Sequence, residues 1–175
     1  SLFLTYLVCI PLGIIKAVKD ESTFDYISGF VLFNLYSIPP VVLAILLIVF
    51  FAGGSYFDWF PIGELYSDEY DTLSIGGKIV DRVHHFILPL LCYMIGNFTV
   101  LTMLMKNSMM EVISLDYIRT AKAKGLTDRA VYIKHALRNA LIPIATGLQS
   151  FFLLFFSGSI IIETIFQLDG MGLLS

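Results

Sequence analysis

The sequence predicts an all-α membrane protein, a polytopic bundle of apolar helices joined by charged loops. The first observation is composition: 57% of the 175 residues are hydrophobic and only 14% are charged, whereas soluble domains carry about 25% charged residues. The second is that the charged residues are confined to a few segments of the chain. These two observations exclude a soluble globule and a disordered chain. The net charge of −3 gives no indication of nucleic-acid binding.

Four stretches of the chain contain no Asp, Glu, Lys or Arg. They cover residues 1–15, 26–57, 83–105 and 139–162. All but the first have the roughly 20 residues that a helix needs to cross the hydrocarbon of a bilayer. Membrane spans are therefore predicted near 1–15, 35–54, 84–105 and 140–162. Since the first stretch is short and begins without a methionine, we expect the end of a helix there and a partial transmembrane domain over 1–175.

Prolines lie close to the predicted starts of the last two spans. Pro89 comes early in the third span and Pro143 early in the fourth. A proline is tolerated in the first turn of a helix because its missing N–H would be unpaired there anyway. Both prolines are therefore expected near helix starts.

The loops between the spans alternate in charge, which predicts an orientation. The outer loop 55–83 is acidic and holds only Lys78 and Arg82 as basic residues. The rest of the 11 basic residues in the chain lie in the first loop or in the loop 106–139. Basic loops remain in the cytoplasm. The first loop and the loop 106–139 are therefore predicted to be cytoplasmic, and the C-terminal end to face outward.

The cytoplasmic loop has the pattern of two helices joined at a glycine. Helix formers run from Glu111 to Lys124, and Gly125 provides the left-handed residue that commonly ends a helix. Thr127 is a candidate cap for the next helix. An apolar stripe follows at helical spacing, formed by Leu126, Ala130, Ile133 and Leu137. We call this helix–glycine–helix segment, residues 111–138, the elbow. A basic, amphipathic elbow suits either a groove in a partner protein or the surface of anionic lipid. Composition alone does not separate these two interpretations.

Two segments of this loop resemble a known signature. Residues 116–126 read DYIRTAKAKGL and residues 135–143 read HALRNALIP. Together they resemble the coupling loop of ABC importer permeases, and more narrowly the dipeptide, oligopeptide and nickel branch. In the general E-A-A, three residues, G motif, Arg119 and Thr120 depart from the first two places but match the peptide branch.

Further segments fit the same family. Residues 10–13 resemble the end of its second span, and Glu163 to Phe166 with 170–172 resemble the turn after its fifth span, although Asp169 replaces a proline. Residues 102–108 resemble the microcin-C-type oligopeptide subgroup. The resemblance implies a fragment of the type I importer permease fold that covers spans two to five.

The resemblance implies a permease subunit that binds no ATP itself. ATP and Mg²⁺ would be held by cytoplasmic ABC ATPase subunits, and Gly77-Lys78 followed by Ile79 does not complete a phosphate-binding loop. The elbow would insert into the ATPase, with Ala121 and Gly125 permitting close approach and Leu126 and the basic residues fixing orientation. The implied coupling residues are Asp116, Tyr117, Arg119, Thr120, Ala121, Lys122, Ala123, Lys124, Gly125 and Leu126.

The resemblance also implies other partners and a location. A second permease subunit, a paralogue, would complete the pathway, and an extracytoplasmic solute-binding protein would deliver cargo to the acidic outer side. The chain would lie in lipid as a multi-pass protein of a prokaryotic inner membrane. No cofactor, metal or nucleic acid is expected on it.

Polar residues within the spans are candidates for the pathway or its gate. Glu163 and Phe166 lie in the family's E-x-x-F position, and a carboxylate within a span is a functional candidate. Asn97 and Gln149 would line a pathway or form helix–helix hydrogen bonds, and both interpretations stay open. His84 and His85 make a poor metal site because no third ligand is near.

Other classes of function explain less of the sequence. An intramembrane hydrolase would need a nucleophile and a histidine at matching depth, which the spans do not provide. An ion channel would explain the acidic outer loop as a ring of charge, but it would not explain the elbow. Within the importer interpretation, peptide, peptide-like antibiotic, nickel and other small-solute cargo remain alternatives, because the binding protein largely selects the cargo in systems that this one resembles.

Overall fold

A computed structural model describes residues 2–52, 54, 56–147 and 160–168, and every regular element in these ranges is helical. This confirms the predicted all-α class. The helices are α1 (Leu2–Val18), α2 (Thr23–Ser37), α3 (Pro40–Phe51), α4 (Ile75–Ile113), α5 (Asp116–Ala123), α6 (Asp128–Ala130), a π-helical turn (Val131–Ala136), α7 (Leu137–Ala140) and α8 (Ile160–Ile165). A 3₁₀ turn covers Tyr70–Thr72, and residues 142–147 are also helical.

The chain divides into two compact units. One, the α1 unit, comprises residues 2–36 and 97–147. The other, the α3 unit, comprises the described residues between 37 and 96 and residues 160–168. Each unit has a hydrophobic core of its own.

The core of the α1 unit joins the apolar faces of α1 and α4 to the elbow. Its buried members are Cys9, Ala17, Leu101, Met105, Met109, Val112, Ile118, Ala121, Val131, Ala136, Ala140 and Ile144. Gly13 lets α1 approach α4 closely, because a Cβ at this position would lie 2.6 Å from the Cβ of Met105 and 2.8 Å from the carbonyl oxygen of Thr102. The Thr99 hydroxyl donates a 2.7 Å hydrogen bond to the Leu32 carbonyl and so fastens α2 to the same helix.

In the α3 unit, α3 packs against α8 and the first part of α4. The buried members of this core are Leu43, Ala44, Ala52, Leu88, Cys92, Ile162, Phe166 and Leu168. Pro40 occupies the first turn of α3, where its fixed φ favours a helix and its missing N–H costs nothing.

The helix lengths refine the predicted spans. Among the described residues, α4 is the one helix that is long and apolar enough to cross a membrane. Its 39 residues extend over about 58 Å, roughly twice the hydrocarbon thickness. Helices α2 and α3 pass the same test only when they are taken together as one broken span, and α1 is a shorter apolar helix. Four spans therefore stay a prediction, and most of the fourth, 148–159, lies outside the described residues.

Within the charge-free stretch 26–57, two helices are separated at Ile38-Pro39, because a proline disfavours the helical conformation of the residue before it. One local expectation is wrong. Pro89 lies inside α4 rather than near its start, since the helix begins at Ile75, well before the apolar segment.

Candidate functional site

The elbow turns at Gly125, which has φ +80°. The Gly125 N–H donates to the Lys122 carbonyl at 2.9 Å, and the Leu126 N–H donates to the Ala121 carbonyl at 3.4 Å. These two bonds form a Schellman motif, the common glycine-dependent end of a helix. The predicted left-handed glycine is therefore confirmed. Apart from the two neighbours in the chain, no atom of the described residues lies within 4 Å of a Cβ built at this position.

The second arm of the elbow begins at a capped helix start. The Thr127 hydroxyl accepts a hydrogen bond from the Ala130 N–H at 3.4 Å, which confirms the predicted cap. Helix formers between Glu111 and Lys124 do not make one helix, however. They are divided between α4 and α5, which are separated at Ser114-Leu115.

Lys122 connects the two arms across the glycine turn. Its ammonium lies 2.8 Å from a carboxylate oxygen of Asp128, donates to the Tyr132 hydroxyl at 3.1 Å, and lies 5.0 Å from the centre of the Tyr132 ring. The hydrogen bonds to Asp128 and Tyr132 raise the pKa of Lys122 above its ordinary value. Lys122 thus fixes the shape of the elbow itself.

Tyr117 connects the first half of the signature to the second. Its hydroxyl accepts a 2.9 Å hydrogen bond from the Asn139 side-chain amide and donates to the His135 carbonyl at 3.4 Å. The sequence pattern did not predict these contacts. The one signal that could have suggested them is that Tyr117 lies in the first signature segment, whereas His135 and Asn139 lie in the second.

One face of the elbow is buried in the α1 unit and the other is exposed. The predicted stripe is split between them: Leu126 and Ile133 are 43% and 56% exposed, whereas Leu137 packs partly against the core. The cause is the π-helical turn, whose i to i+5 hydrogen bonds take one more residue per turn than an α-helix. The buried residues of this turn are Val131 and Ala136.

Nine of the ten predicted coupling residues are exposed, and the tenth is buried. The exposed ones are Asp116, Tyr117, Arg119, Thr120, Lys122, Ala123, Lys124, Gly125 and Leu126. Ala121 is only 9% exposed and belongs to the core with Ile118. The role of Ala121 in the approach of a partner stays a prediction; its small side chain allows α5 to pack on the chain's own core.

The predicted gate residues are distributed over both units. In the α3 unit Glu163 is buried in α8, and the Tyr93 hydroxyl donates a 3.4 Å hydrogen bond to its carboxylate. Phe166 is also buried. Asn97 is an exposed residue of α4 in the α1 unit, and Gln149 lies outside the described residues.

The loop 63–66 crosses the C-terminal end of α8. The Glu64 N–H donates to the Phe166 carbonyl at 3.2 Å, and the Leu168 N–H donates to the Glu163 carbonyl at 2.8 Å. Gln167 takes a left-handed φ of 50° and Glu64 one of 62°, which are uncommon for residues other than glycine. A cavity of about 290 Å³ lies here, lined by Glu64, Leu65, Tyr66 and Gln167.

The two adjacent histidines have separate environments. The Nε2 atom of His84 lies 2.6 Å from the Trp59 carbonyl oxygen, and the Nδ1 atom of His85 lies 2.9 Å from the Asp81 carbonyl oxygen. Within the described ranges, no group of three or more His, Cys, Asp and Glu residues has the geometry of a metal site.

Comparisons with known proteins match nearly the whole chain. A family model described as "binding-protein-dependent transport system inner membrane component" matches residues 9–175. The chain is 46% identical over 173 residues to the peptidoglycan transport system permease protein YejB of Agrobacterium fabrum, covering 98% of the chain and 47% of that protein.

Two further relatives extend this pattern. The chain is 47% identical over 175 residues to the inner membrane ABC transporter permease protein YejB of Escherichia coli, with 99% of the chain and 48% of that protein covered. It is 35% identical over 172 residues to the oligopeptide transport system permease protein AppB of Bacillus subtilis, covering 98% and 52%. The chain thus spans about half the length of the curated relatives that it matches.

Proposed function

Because this chain belongs to the family of binding-protein-dependent transport system inner membrane components, we propose that it is part of the permease subunit of an ATP-driven importer of peptides. The observation that supports this most strongly is the identity of 46–47% to two permease proteins over almost the full chain. The permease forms the path through the membrane, and ATP and Mg²⁺ are held by a separate ATPase subunit.

The elbow at Gly125 is the contact with that ATPase. Support comes from the exposure of Leu126 and Ile133, from the exposed basic residues of the same segment, and from the hydrogen bonds that fix its shape internally. A preorganised elbow loses little conformational entropy when it binds. A rigid elbow also passes a movement of the ATPase on to the helices of the permease. Closure of the ATPase therefore switches the pathway between access from one side of the membrane and access from the other.

The remaining parts follow from the same assignment. The four spans lie near 1–15, 35–54, 84–105 and 140–162, the acidic loop 55–83 faces the solute-binding protein, and the loop 106–139 is cytoplasmic. A paralogous second permease completes the pathway, and Glu163 with Phe166 contributes to its outer gate. Burial of both side chains at one end of α8 supports the gate.

Peptide cargo is favoured over nickel by the names of the relatives. They are described as permeases of peptidoglycan, oligopeptide and dipeptide transport systems. A peptide or a peptide-containing fragment is the chemistry common to these names. The microcin-C-type subgroup remains a proposal that rests on residues 102–108.

Co-purification and uptake with the full-length protein test this function. The permease is isolated from membranes in detergent, co-purifying subunits are identified, and the complex is reconstituted in vesicles with its binding protein. Recovery of an ATPase and a second permease, together with ATP-dependent uptake of a labelled peptide, is expected. If the protein is recovered without an ATPase and the vesicles take up no peptide, the proposal is wrong.

Substitutions at Gly125 separate docking from folding. Gly125→Trp adds a bulky side chain where the described residues leave open space, while φ +80° strains the backbone of any other residue type there. Gly125→Asn takes the same left-handed conformation with a small side chain, so it is the control for the backbone change. Gly125→Trp should lose coupling between ATP hydrolysis and uptake while Gly125→Asn keeps it, and normal uptake by the tryptophan variant would contradict the docking assignment.

A further inference from the structure

Four charged side chains meet in the α1 unit where the first loop joins the end of the apolar part of α4. They are Lys16 at the end of α1, Asp20 in the following turn, Asp25 in the first turn of α2, and Lys106 in α4. We call them the charge cluster. It contains two cations and two carboxylates, so it is balanced in charge.

The inner half of the cluster is a buried ion pair. Lys16 is 1% exposed, and its ammonium lies 2.9 Å from one carboxylate oxygen of Asp25. The same ammonium donates at 2.8 Å to the Asp25 carbonyl and at 2.8 Å to the Ser28 hydroxyl. Two hydrogen bonds and the ion pair therefore hold the ammonium, and α1 is joined to α2.

The outer half extends the pair to α4. The Lys106 ammonium donates to the second carboxylate oxygen of Asp25 at 2.6 Å and lies 2.8 Å from a carboxylate oxygen of Asp20. Each oxygen of the Asp25 carboxylate thus faces a different ammonium. This single carboxylate, which belongs to α2, therefore links α2 to both α1 and α4.

The charge cluster adjoins the core that carries the elbow. Lys106 lies next to Met105 in α4, and Met105 and Met109 are fully buried in the core that also contains Ile118 of α5. A movement of the elbow therefore reaches α4 through close-packed side chains, which do not deform continuously. The cluster connects α4 to α1 and α2.

We infer that Asp25, held between Lys16 and Lys106, is a positioning residue for transport. It makes α1, α2 and this part of α4 move as one body when the elbow is displaced. This inference rests on the proposed function, because it assigns to the cluster the delivery of the ATPase movement to the pathway helices. The role goes beyond stability, since buried ion pairs are often no more stabilising than apolar replacements.

The test uses a variant that keeps the buried pair and the charge balance. Lys106→Met with Asp20→Asn removes the outer half and leaves Lys16 with Asp25. Lys19→Met, an exposed lysine in the same turn, is the matched control. The full-length permease is reconstituted with its ATPase, second permease and binding protein, and ATP hydrolysed per peptide taken up is measured well below the thermal midpoint.

The double variant should assemble and hydrolyse ATP, but ATP consumed per peptide should rise by about fivefold or more, the lower end of typical coupling between sites. Lys19→Met and Lys106→Arg should keep the original ratio. An unchanged ratio in the double variant would show that the cluster is only structural. An arginine variant as uncoupled as the double variant would also overturn the inference. If the double variant does not assemble, Lys106→Gln, which breaks the ion pair with Asp25, is judged by the same ratio.

A second readout separates this inference from the proposed function. Spin labels at exposed Glu21→Cys and Glu111→Cys report the distance between the first turn and the end of α4. The distance distribution should broaden in the double variant and not in Lys19→Met, whatever the cargo. An unchanged width would overturn the inference even if the ATP consumed per peptide rises. Broadening in a protein that transports no peptide would support the rigid connection while refuting the proposed function.

Discussion

The side-chain amide of Asn139 donates a 2.9 Å hydrogen bond to the hydroxyl of Tyr117, a residue 22 positions earlier in the chain. This bond joins α5 to α7 and so joins the two segments of the permease signature. The shape of the elbow therefore depends on both segments. It explains in physical terms why a tyrosine near the start of one segment accompanies an asparagine in the other.

Removing this bond should loosen the elbow without unfolding the protein. Asn139→Ala should lower the free energy of unfolding by about 1 kcal/mol, the usual net value of one hydrogen bond. Tyr117→Phe also removes the bond to the His135 carbonyl, so its effect should be equal or larger. The double variant should be little worse than Tyr117→Phe alone, because both changes remove the bond between the two side chains. Thermal or denaturant unfolding of the full permease measures this. Strictly additive losses would mean that the two side chains do not interact.

The exposed apolar residues of the elbow should matter for docking and not for folding. Leu126→Asn and Ile133→Asn should change the unfolding free energy by at most about 0.5 kcal/mol and weaken ATPase binding about tenfold, or about 1.4 kcal/mol. Val131→Ala should show the opposite pattern, because Val131 is fully buried. Thermal unfolding and ATPase co-purification are measured on the same samples. Normal ATPase recovery with both asparagine variants would remove this face from the interface.

Gly13 should tolerate no larger side chain. In Gly13→Ala the new Cβ would lie 2.6 Å from the Met105 Cβ, so α1 and α4 must separate, at a cost of about 1–3 kcal/mol. Gly96→Ala is the control: no atom lies within 4 Å of a Cβ there, and alanine favours a helix by up to about 1 kcal/mol over glycine. Thermal midpoints of the two variants should move in different directions. Equal midpoints would contradict the close packing of α1 on α4.

Glu163 should affect transport more than assembly. Glu163→Gln keeps the shape of the buried side chain and its acceptor for the Tyr93 hydroxyl while removing the charge. Peptide uptake should fall several-fold with ATPase recovery unchanged. Glu69→Gln, which changes an exposed acid of the loop 55–83, should leave uptake intact. If Glu163→Gln transports as well as Glu69→Gln, the gate assignment fails.

Local chemistry made several features predictable from sequence. Gly125 and Thr127 act through their own backbone and neighbouring residues, so the helix end and the cap could be read directly. The exclusion of charge from long stretches predicted the helical class. The signature segments predicted the family, because they specify residue types over two nearby stretches of the loop 106–139.

Contacts between distant segments could not be predicted in the same way. The Asp25–Lys106 bond joins residues 81 positions apart, and nothing in the charge pattern of the first loop distinguishes Lys16, which is buried, from Lys19, which is exposed. Likewise, regular helical spacing placed Leu126, Ile133 and Leu137 on one stripe. The π-helical turn divides that stripe between the exposed face and the core.

The sequence by itself therefore determined the membrane class, the helical content, the position of the elbow and the family. The tertiary structure alone decided that Ala121 packs inward, that Asp25 lies between two ammonium groups, and that Tyr117 bonds to Asn139. The physical reason is that composition, caps and periodicity act over a few neighbouring residues. Which face is buried, and which charges meet, depends on the close packing of helices that are far apart in the chain.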